Sequence, residues 1–284
     1  MTARPVFRFA PSPNGPLHKG HAYSALLNRK RCMAAGGRLR LRLEDIDRQR
    51  CRPEHEAAIL ADLDWLGFGF EPDVLRQSER FGAYRDALSR LDALGVLYGA
   101  PASRAEIAEA ARTAEARGMP LARDPDGAPL YPFCDRDRGR PAQLGEDAAI
   151  RLDMDRALSL AGPVSALMRQ KDGSFARIPQ DPALWGDPVL ARRDTPTSYH
   201  LSVVVDDAFE AITDIVRGAD LLAATAVHRL LQVLLGLPEP RYEHHRLILG
   251  ADGRKLSKSE GAARLSAIRE AGGTVEMLKE EWGL

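Results

Sequence analysis

The fold is decided by one stretch near the start of the chain, Arg8-Phe9-Ala10-Pro11-Ser12-Pro13-Asn14-Gly15-Pro16-Leu17-His18-Lys19-Gly20-His21. The residues from Val6 to Ala10 read as a short strand, and the Pro/Asn/Gly run after them predicts a turn. From His18 the apolar residues recur at helical spacing as far as Gly36-Gly37, which predicts a helix that ends there. Two histidines therefore sit in the opening turn of a helix that follows a strand.

This position suits the binding of a nucleotide. A helix N-terminus presents unpaired N–H groups and the positive end of its dipole, and both favour a phosphate. His18 and His21 are three residues apart, so both rings can donate to phosphate oxygens, and Gly20 leaves room for a flat base or a ribose. The alternative is a pair of surface histidines, because His-x-Gly-His arises by chance in on the order of one chain in a hundred of this length.

A second motif lies far downstream, at Lys255-Leu256-Ser257-Lys258-Ser259. It follows a strand-like Arg246–Leu249 and a glycine-rich hinge. Two lysines and two hydroxyls on such a loop form a mobile cationic clamp of the kind that stabilises a transferring phosphoryl group. The alternative is a solvated basic loop. This string arises by chance in on the order of one chain in a thousand.

These two motifs resemble the signature motifs of class I aminoacyl-tRNA synthetases, and Arg8–Pro13 with Arg42–Asp47 resembles the glutamyl branch of that class. The resemblance covers nearly the whole chain and is densest in residues 4–98 and 175–262. It implies an ATP-dependent, adenylate-forming ligase of α/β class, with a doubly wound, Rossmann-like parallel sheet, a helical insertion and a short C-terminal helical segment.

The resemblance also implies roles for individual residues. ATP would be bound by His18, Gly20, His21, Lys255, Ser257 and Lys258, of which His18, His21 and Lys258 would be catalytic. Glutamate would be bound by Arg8, Phe9, Ala10, Pro11, Ser12, Glu44, Tyr199 and Arg217, with Arg217 meeting its side-chain carboxylate.

Three of these residues also have other interpretations when the sequence is considered alone. Glu44 ends an alternating strand, Arg38–Glu44, where a carboxylate can hold a substrate ammonium or simply pair with a neighbouring arginine. Arg217 ends a predicted strand and can reach a bound anion, or it can cap or form an ion pair. Tyr199 is more often a half-buried core tyrosine than a ligand.

Strand–helix alternation predicts a parallel sheet covered by helices. We expect residues 1–98 to form the first half of the catalytic domain, 99–147 an insertion that approaches RNA, 148–249 the second half, and 250–284 the lysine loop and terminal helices. Further predictions are a helix capped by Ser78, strands at 149–154 and 188–192 that return to the sheet, a buried strand at 203–205 and another at 211–217. His244 and His245 would point to opposite faces of a strand and be structural.

In the family that the chain resembles, the insertion usually carries a zinc site of cysteines plus a tyrosine. Here the first pair of positions lies in Tyr98-Gly99-Ala100-Pro101-Ala102-Ser103, which contains no cysteine. Tyr131 and Cys134 lie nearby, but two ligands cannot close a tetrahedral zinc site. We therefore expect no zinc and no other structural metal.

Composition narrows the class of protein. The chain has 284 residues and a formal net charge of zero, so any RNA contact needs a local basic surface. The N-terminus lacks a signal-peptide core, no stretch is long and apolar enough to span a membrane, and the three cysteines are scattered. These features favour a cytoplasmic protein, and we expect a monomer.

The expected reaction is RNA-independent activation of glutamate by ATP, with Mg²⁺, followed by transfer to an RNA. About 25 residues follow the second motif, too few for an anticodon-reading domain with its own core. That length favours the short paralogues of the glutamyl branch, which place glutamate on the queuosine base of tRNA(Asp). The alternatives are a minimal glutamyl-tRNA synthetase that charges a 3′ end, a small-molecule nucleotidyl transferase, and a non-catalytic RNA-binding relic.

Overall fold

The computed structural model describes residues 4–138, 148–250 and 264–284. Its strands are β1 Val6–Phe9, β2 Arg38–Leu43, β3 Leu75–Arg76, β4 Leu97–Ala100, β5 Ala149–Leu152, β6 Ser165–Arg169, β7 Phe175–Pro179, β8 Val189–Ala191, β9 Asp214–Gly218 and β10 Arg241–His245. Its α-helices are α1 Lys19–Ala34, α2 Pro53–Trp65, α3 Phe81–Ala93, α4 Arg104–Ala116, α5 Met154–Ala161, α6 Tyr199–Phe209, α7 Ala224–Leu234, α8 Leu265–Glu270 and α9 Val275–Trp282.

The main sheet confirms the predicted α/β class. Within the described ranges it has seven strands in the order β3-β2-β1-β9-β10-β6-β7. All neighbouring pairs are parallel except the β6–β7 hairpin at one edge. The direction of winding reverses between β1 and β9, which lie side by side although about 200 residues separate them in sequence. Ligands of such sheets bind outside the carboxyl ends of the strands at this reversal.

Helices pack on the sheet and complete its core. One cluster of buried apolar side chains joins β1 and β2 to α1, α2, α8 and α9, with Leu17, Leu41 and Leu265 fully buried. A second cluster joins α3, α5, α6 and α7 to the smaller sheet. The terminal helices are therefore part of the core that holds the first strand and helix.

A second, three-stranded antiparallel sheet has the order β4-β5-β8. The prediction that residues 149–154 and 188–192 return to the main sheet is therefore wrong. Both segments do form strands, but they pair with β4, because alternation of apolar residues identifies a strand without identifying its partner.

Other local predictions also fail. The predicted strand at 203–205 lies inside helix α6. The prediction failed because a short run of buried valines fits a strand and also fits a helix that is covered on both sides. The strand-like residues 246–249 lie beyond the end of β10. Ser78 does not cap α3, which begins after Arg80; instead its N–H and hydroxyl both donate to the Asp45 carboxylate, at 2.8 and 2.6 Å. Helix α4 begins with a capping box formed by Ser103 and Glu106.

Candidate active site

A cleft of about 480 Å³ opens at the carboxyl ends of β1 and β9, where the sheet reverses. It is lined by segments that follow β1, β2, β9 and β10 and by the first residues of α1 and α6. Of the residues predicted to bind ligands, the cleft brings together Arg8, Phe9, Ala10, Pro11, Ser12, His18, Gly20, His21, Glu44, Tyr199 and Arg217. These residues are spread over 210 positions of sequence, and the topology of the sheet collects them.

The predicted roles of Lys255, Ser257 and Lys258 fall outside the described residues. The residues that flank this segment are described. Leu247 and Ile248 line the cleft, and Arg264 forms an isolated β-bridge with His18. The chain therefore leaves from and returns to the edge of the same cleft.

His18 and His21 build the N-terminal cap of α1. Nδ1 of His18 accepts from the N–H of Gly20 at 3.1 Å, and Nδ1 of His21 accepts from the N–H of His18 at 3.2 Å. The ring centroids are 3.8 Å apart. Because Nδ1 is the acceptor in both rings, the proton of each neutral ring is assigned to Nε2. The helix cap thus fixes both histidines as Nε2–H donors, which is the form that can bind phosphate oxygens.

The His18 ring folds back over Gly20, so a side chain at position 20 would crowd that ring. A Cβ atom on Gly20 would lie 3.0 Å from Cε1 and 3.2 Å from Nδ1 of His18. A larger residue would therefore push away the ring that caps the helix. This contact supplies a reason for the glycine in addition to the predicted space for a base.

Two buried arginines at the end of the sheet share one carboxylate on α6. Nε of Arg8 donates to Oδ1 of Asp207 at 3.0 Å, and Arg42, which is fully buried, donates to the same atom at 2.8 Å. Arg42 also donates to Glu210 at 2.9 Å. Burial opposes ionisation of Asp207, but the two arginines outweigh it and lower the pKa of that carboxyl. Asp207 therefore fixes Arg8 through Nε, and among the described residues the Nη atoms of Arg8 donate no hydrogen bond, so they can serve a ligand.

Glu44 differs from Asp207 because its carboxylate forms an ion pair with Arg42 but has no hydrogen-bond partner among the described residues. Its Oε1 lies 3.7 Å from Arg42, which is beyond hydrogen-bond distance. Burial raises the pKa of Glu44 to about 7, although Arg42 and Arg8 act in the opposite direction. A substrate ammonium at this carboxylate would supply the missing partner.

Arg217 is buried and held by neutral groups. Its Nε donates to Nε2 of His244 at 3.2 Å, its Nη1 to Nδ1 of His228 at 3.0 Å, and its Nη2 to the hydroxyl of Thr225 at 2.8 Å. In the part of the chain that the structure describes, no carboxylate forms an ion pair with it. Because an isolated buried charge is costly, this guanidinium is suited to an anion that enters from the cleft.

The histidines around Arg217 stay uncharged. Burial, assisted by the charge of Arg217, lowers the pKa of His244 to about 3 and that of His200 to about 4, and holds that of His228 well below its usual range. Because Nδ1 of His228 accepts from Arg217, its Nε2–H donates to Nδ1 of His200, 3.3 Å away. The neutral groups His228, Thr225 and His244 therefore orient the Arg217 guanidinium without neutralising its positive charge.

The arrangement has room for a ligand with two carboxylates and one ammonium. Arg8, Glu44 and Arg217 all act electrostatically on the hydroxyl of Tyr199, whose pKa is raised to about 12, mainly by burial. Of the five N–H donors of Arg217, three are engaged, which leaves one on each Nη atom. A carboxylate can accept one hydrogen bond on each of its two oxygens in a charged, bidentate pair, whereas an amide has one acceptor oxygen and no charge.

Sequence reasoning missed the residues that position these arginines: Asp207, Glu210, Thr225, His200 and His228. Asp207 lies on helix α6, where the sequence predicts a strand at 203–205, and no motif marks the others. His244 is predicted to be structural. It does point to the face opposite His245, but it also contacts Arg217.

The expectation that there is no zinc stays a prediction. The hydroxyl of Tyr131 bonds to Asp135, its ring lies under the Arg151 guanidinium, and Cys134 is exposed. Among residues 4–138, 148–250 and 264–284, no group of three or more His, Cys, Asp or Glu side chains is arranged to hold a metal. Nor does any helix in these ranges have the length and hydropathy that a membrane span requires.

Comparison with known proteins identifies the family of the chain. The family described as tRNA synthetases class I (E and Q), catalytic domain, matches residues 6–280. The chain is 46% identical to the glutamyl-Q tRNA(Asp) synthetase of Rhodobacter capsulatus, over 98% of this chain and 100% of that protein. It is 40% identical to glutamate–tRNA ligase 2 of Xanthobacter autotrophicus, over 95% of this chain and 56% of that one.

A solved structure of a glutamate tRNA ligase is also similar to this chain. The crystal structure of a glutamate tRNA ligase from Elizabethkingia meningosepticum, in complex with its amino acid, matches with a TM-score of 0.72 and 29% identity, over 91% of this chain and 53% of that one. A family match over nearly the whole chain, with relatives of 40% identity or more, identifies the family: the chain belongs to the class I tRNA synthetases for glutamate and glutamine.

Proposed function

We propose that this protein activates L-glutamate with ATP, without RNA, and then transfers the glutamyl group to the queuosine base of tRNA(Asp). The observation that carries the proposal is Arg217, a buried guanidinium with no carboxylate partner among the described residues, in the same cleft as the two capping histidines. The names of the relatives over nearly the whole chain support the choice of RNA.

The amino-acid half of the cleft has a group for each charge of glutamate. The side-chain carboxylate binds the two remaining N–H donors of Arg217, beside Tyr199. The ammonium binds Glu44. Arg8, held by Asp207, provides terminal N–H donors for a substrate carboxylate. The segment from Phe9 to Ser12 forms the wall between these groups and the nucleotide.

The nucleotide half takes ATP with its Mg²⁺. Nε2–H of His18 and of His21 donate to phosphate oxygens, and the adenosine lies near Gly20. A carboxylate oxygen of glutamate attacks the α-phosphorus, the bond to the bridging oxygen breaks, and pyrophosphate leaves. Lys258, with Lys255 and Ser257 secondary, stabilises the charge on the leaving group. No covalent enzyme intermediate is needed, because positioning and charge stabilisation supply the rate.

Two alternative functions differ from the proposed one in the molecule that accepts the activated group. A minimal glutamyl-tRNA synthetase would load a tRNA 3′ end, and a small-molecule nucleotidyl transferase would use no RNA. The second has no need for Arg8, Glu44, Tyr199 and Arg217 in one cleft. We further propose that the protein acts as a monomer in the cytoplasm, where tRNA is found.

The test is incubation with labelled glutamate and ATP, together with tRNA that contains or lacks queuosine. We expect pyrophosphate exchange without RNA, and label on queuosine-containing tRNA even when its 3′-terminal adenosine has been removed. Label that requires an intact 3′ end and ignores queuosine would establish the first alternative. Absence of RNA-dependent transfer would favour the second.

A further inference from the structure

His245 ends β10 and faces helix α1. Successive residues of a strand point to opposite faces. On one face, the rings of Tyr242 and His244 stack in parallel planes and lie beside Arg217. On the other face, Glu243 forms an ion pair with Arg31 of α1. The His245 ring is also on this second face and packs edge-on against Tyr23 of α1, with 5.1 Å between ring centroids. His245 therefore lies on the side of the cleft that holds the capping histidines.

The hydrogen bonds of His245 define which of its nitrogens is an acceptor. Nδ1 lies 2.9 Å from the carbonyl oxygen of Arg246, and because a carbonyl can only accept, Nδ1 carries the proton. Burial lowers the pKa of the ring, so the ring is neutral and Nε2 has a lone pair. The residue is 92% buried, and in the described part of the chain Nε2 has no hydrogen-bond partner.

A buried acceptor without a donor is destabilising, so such an atom beside a ligand cleft indicates a donor on the ligand. His245 lines the cleft, as do the apolar residues Leu221, Leu247 and Ile248. Phosphates and carboxylates carry no donor at neutral pH, and the ammonium of glutamate is matched by Glu44. The remaining donors of the two substrates are the amino group and ribose hydroxyls of adenosine.

We propose that His245 is a nucleoside-recognition residue, whose Nε2 accepts a hydrogen bond from the adenosine of ATP while Leu221, Leu247 and Ile248 provide apolar contacts to it. This inference rests on the proposed function only in taking ATP as the ligand of the cleft. The base amino group and the ribose hydroxyls share the same donor chemistry, and the experiment separates them.

The test is calorimetric titration of the whole protein, without glutamate, with ATP, purine riboside triphosphate, 2′-deoxy-ATP and 3′-deoxy-ATP. The first analogue lacks the amino group, and the others lack one hydroxyl each. We expect the wild type to bind one analogue about tenfold more weakly than ATP. His245→Phe, which keeps a ring against Tyr23, should bind ATP as weakly as that analogue and lose the discrimination. His245→Asn, which restores an acceptor, should recover part of it.

His55→Phe, on α2 and outside the cleft, is the matched control and should keep wild-type discrimination. If His245→Phe and His245→Asn still discriminate between ATP and the analogue as the wild type does, the inference is overturned. It is also overturned if His245→Phe binds all four nucleotides more weakly by the same factor. Pyrophosphate exchange on the same samples separates the two proposals. If the wild type shows no glutamate-dependent pyrophosphate exchange but His245→Phe still loses the discrimination between ATP and the analogue, the role of His245 is supported and the proposed function is rejected.

Discussion

Nη1 of Arg217 donates to Nδ1 of His228 across 3.0 Å, so a charged guanidinium and an uncharged imidazole share one buried space. A carboxylate at the position of His228 would neutralise Arg217 and close the anion site. A neutral acceptor holds the guanidinium in place and leaves its charge for the substrate. The first two predictions below follow from this pairing.

Replacement of Arg217 by Gln should raise the KM for glutamate about 100-fold and leave the KM for ATP within about twofold, because a buried charge pair with the substrate is lost. Pyrophosphate exchange at varied glutamate and ATP measures both constants. Arg177→Gln, an exposed arginine on β7, is the control. Equal increases in both KM values would contradict the assignment.

Thr225→Val removes the acceptor of Nη2 with little change in shape. We expect a five- to tenfold increase in the KM for glutamate, the usual cost of one hydrogen bond to a charged group. Thr225→Ser keeps the hydroxyl and should restore most of the affinity. Were the serine variant as impaired as the valine variant, packing rather than the hydrogen bond would be the role of Thr225.

The affinity for glutamate should depend on pH through Glu44. Its pKa of about 7 in the empty cleft means that the carboxyl is mostly protonated at pH 6 and ionised at pH 8. Since the substrate ammonium binds the ionised form, the KM for glutamate should fall across this interval. Glu44→Gln should have a high KM throughout and lose this component of the profile. An identical pH profile in the variant would assign the titration to another group.

Gly20→Ala should reduce the rate of adenylate formation at least tenfold, because the new methyl displaces the His18 ring. The KM for glutamate should change little. Gly82→Ala, also in a helix but with no atom within 4 Å of the added Cβ, should keep full activity and be more stable by about 1 kcal/mol. Single-turnover kinetics and thermal unfolding of both variants test this difference.

Lys258→Ala should slow adenylate formation by about 10²-fold or more, the scale for one preorganised charge contact. The KM for glutamate should remain near that of the wild type, because the lysine is assigned to the leaving pyrophosphate. The pyrophosphate-exchange rate measures the effect. An unchanged rate would remove Lys258 from the mechanism.

The local features that the sequence predicted are those with strong local signals. The turn prolines, the glycine pair after α1 and the alternation of β2 identify their elements directly, because each restricts backbone angles or faces. The valines at 203–205 carry no such signal. The hairpin β6–β7 was also missed, since nothing in its composition separates it from a loop.

The ligand-binding residues of the site could be predicted from the sequence where they lie in contiguous motifs. Arg8, His18, His21 and Glu44 are in contiguous motifs, whereas the groups that fix the arginines come from elsewhere. Asp207 meets Arg8 and Arg42 only because α6 packs over the carboxyl ends of β1 and β2. Thr225, His228 and His244 converge from α7 and β10, and the register of β9 against β10 puts Arg217 beside His244. Pairings of this kind depend on tertiary geometry that spacing along one chain cannot encode.

The pairing of β1 with β9 has a consequence for synthesis on the ribosome. When the first strand and helix have emerged, one side of β1 has no neighbour until residues 214–218 follow, and Leu17, Leu41 and Val216 share a cluster with α8 and α9 from the last twenty residues. For most of translation the nascent chain therefore exposes an open strand edge and a half-built core. We infer that this protein folds late, and that nascent-chain fragments ending before β9 depend on chaperones to stay unaggregated.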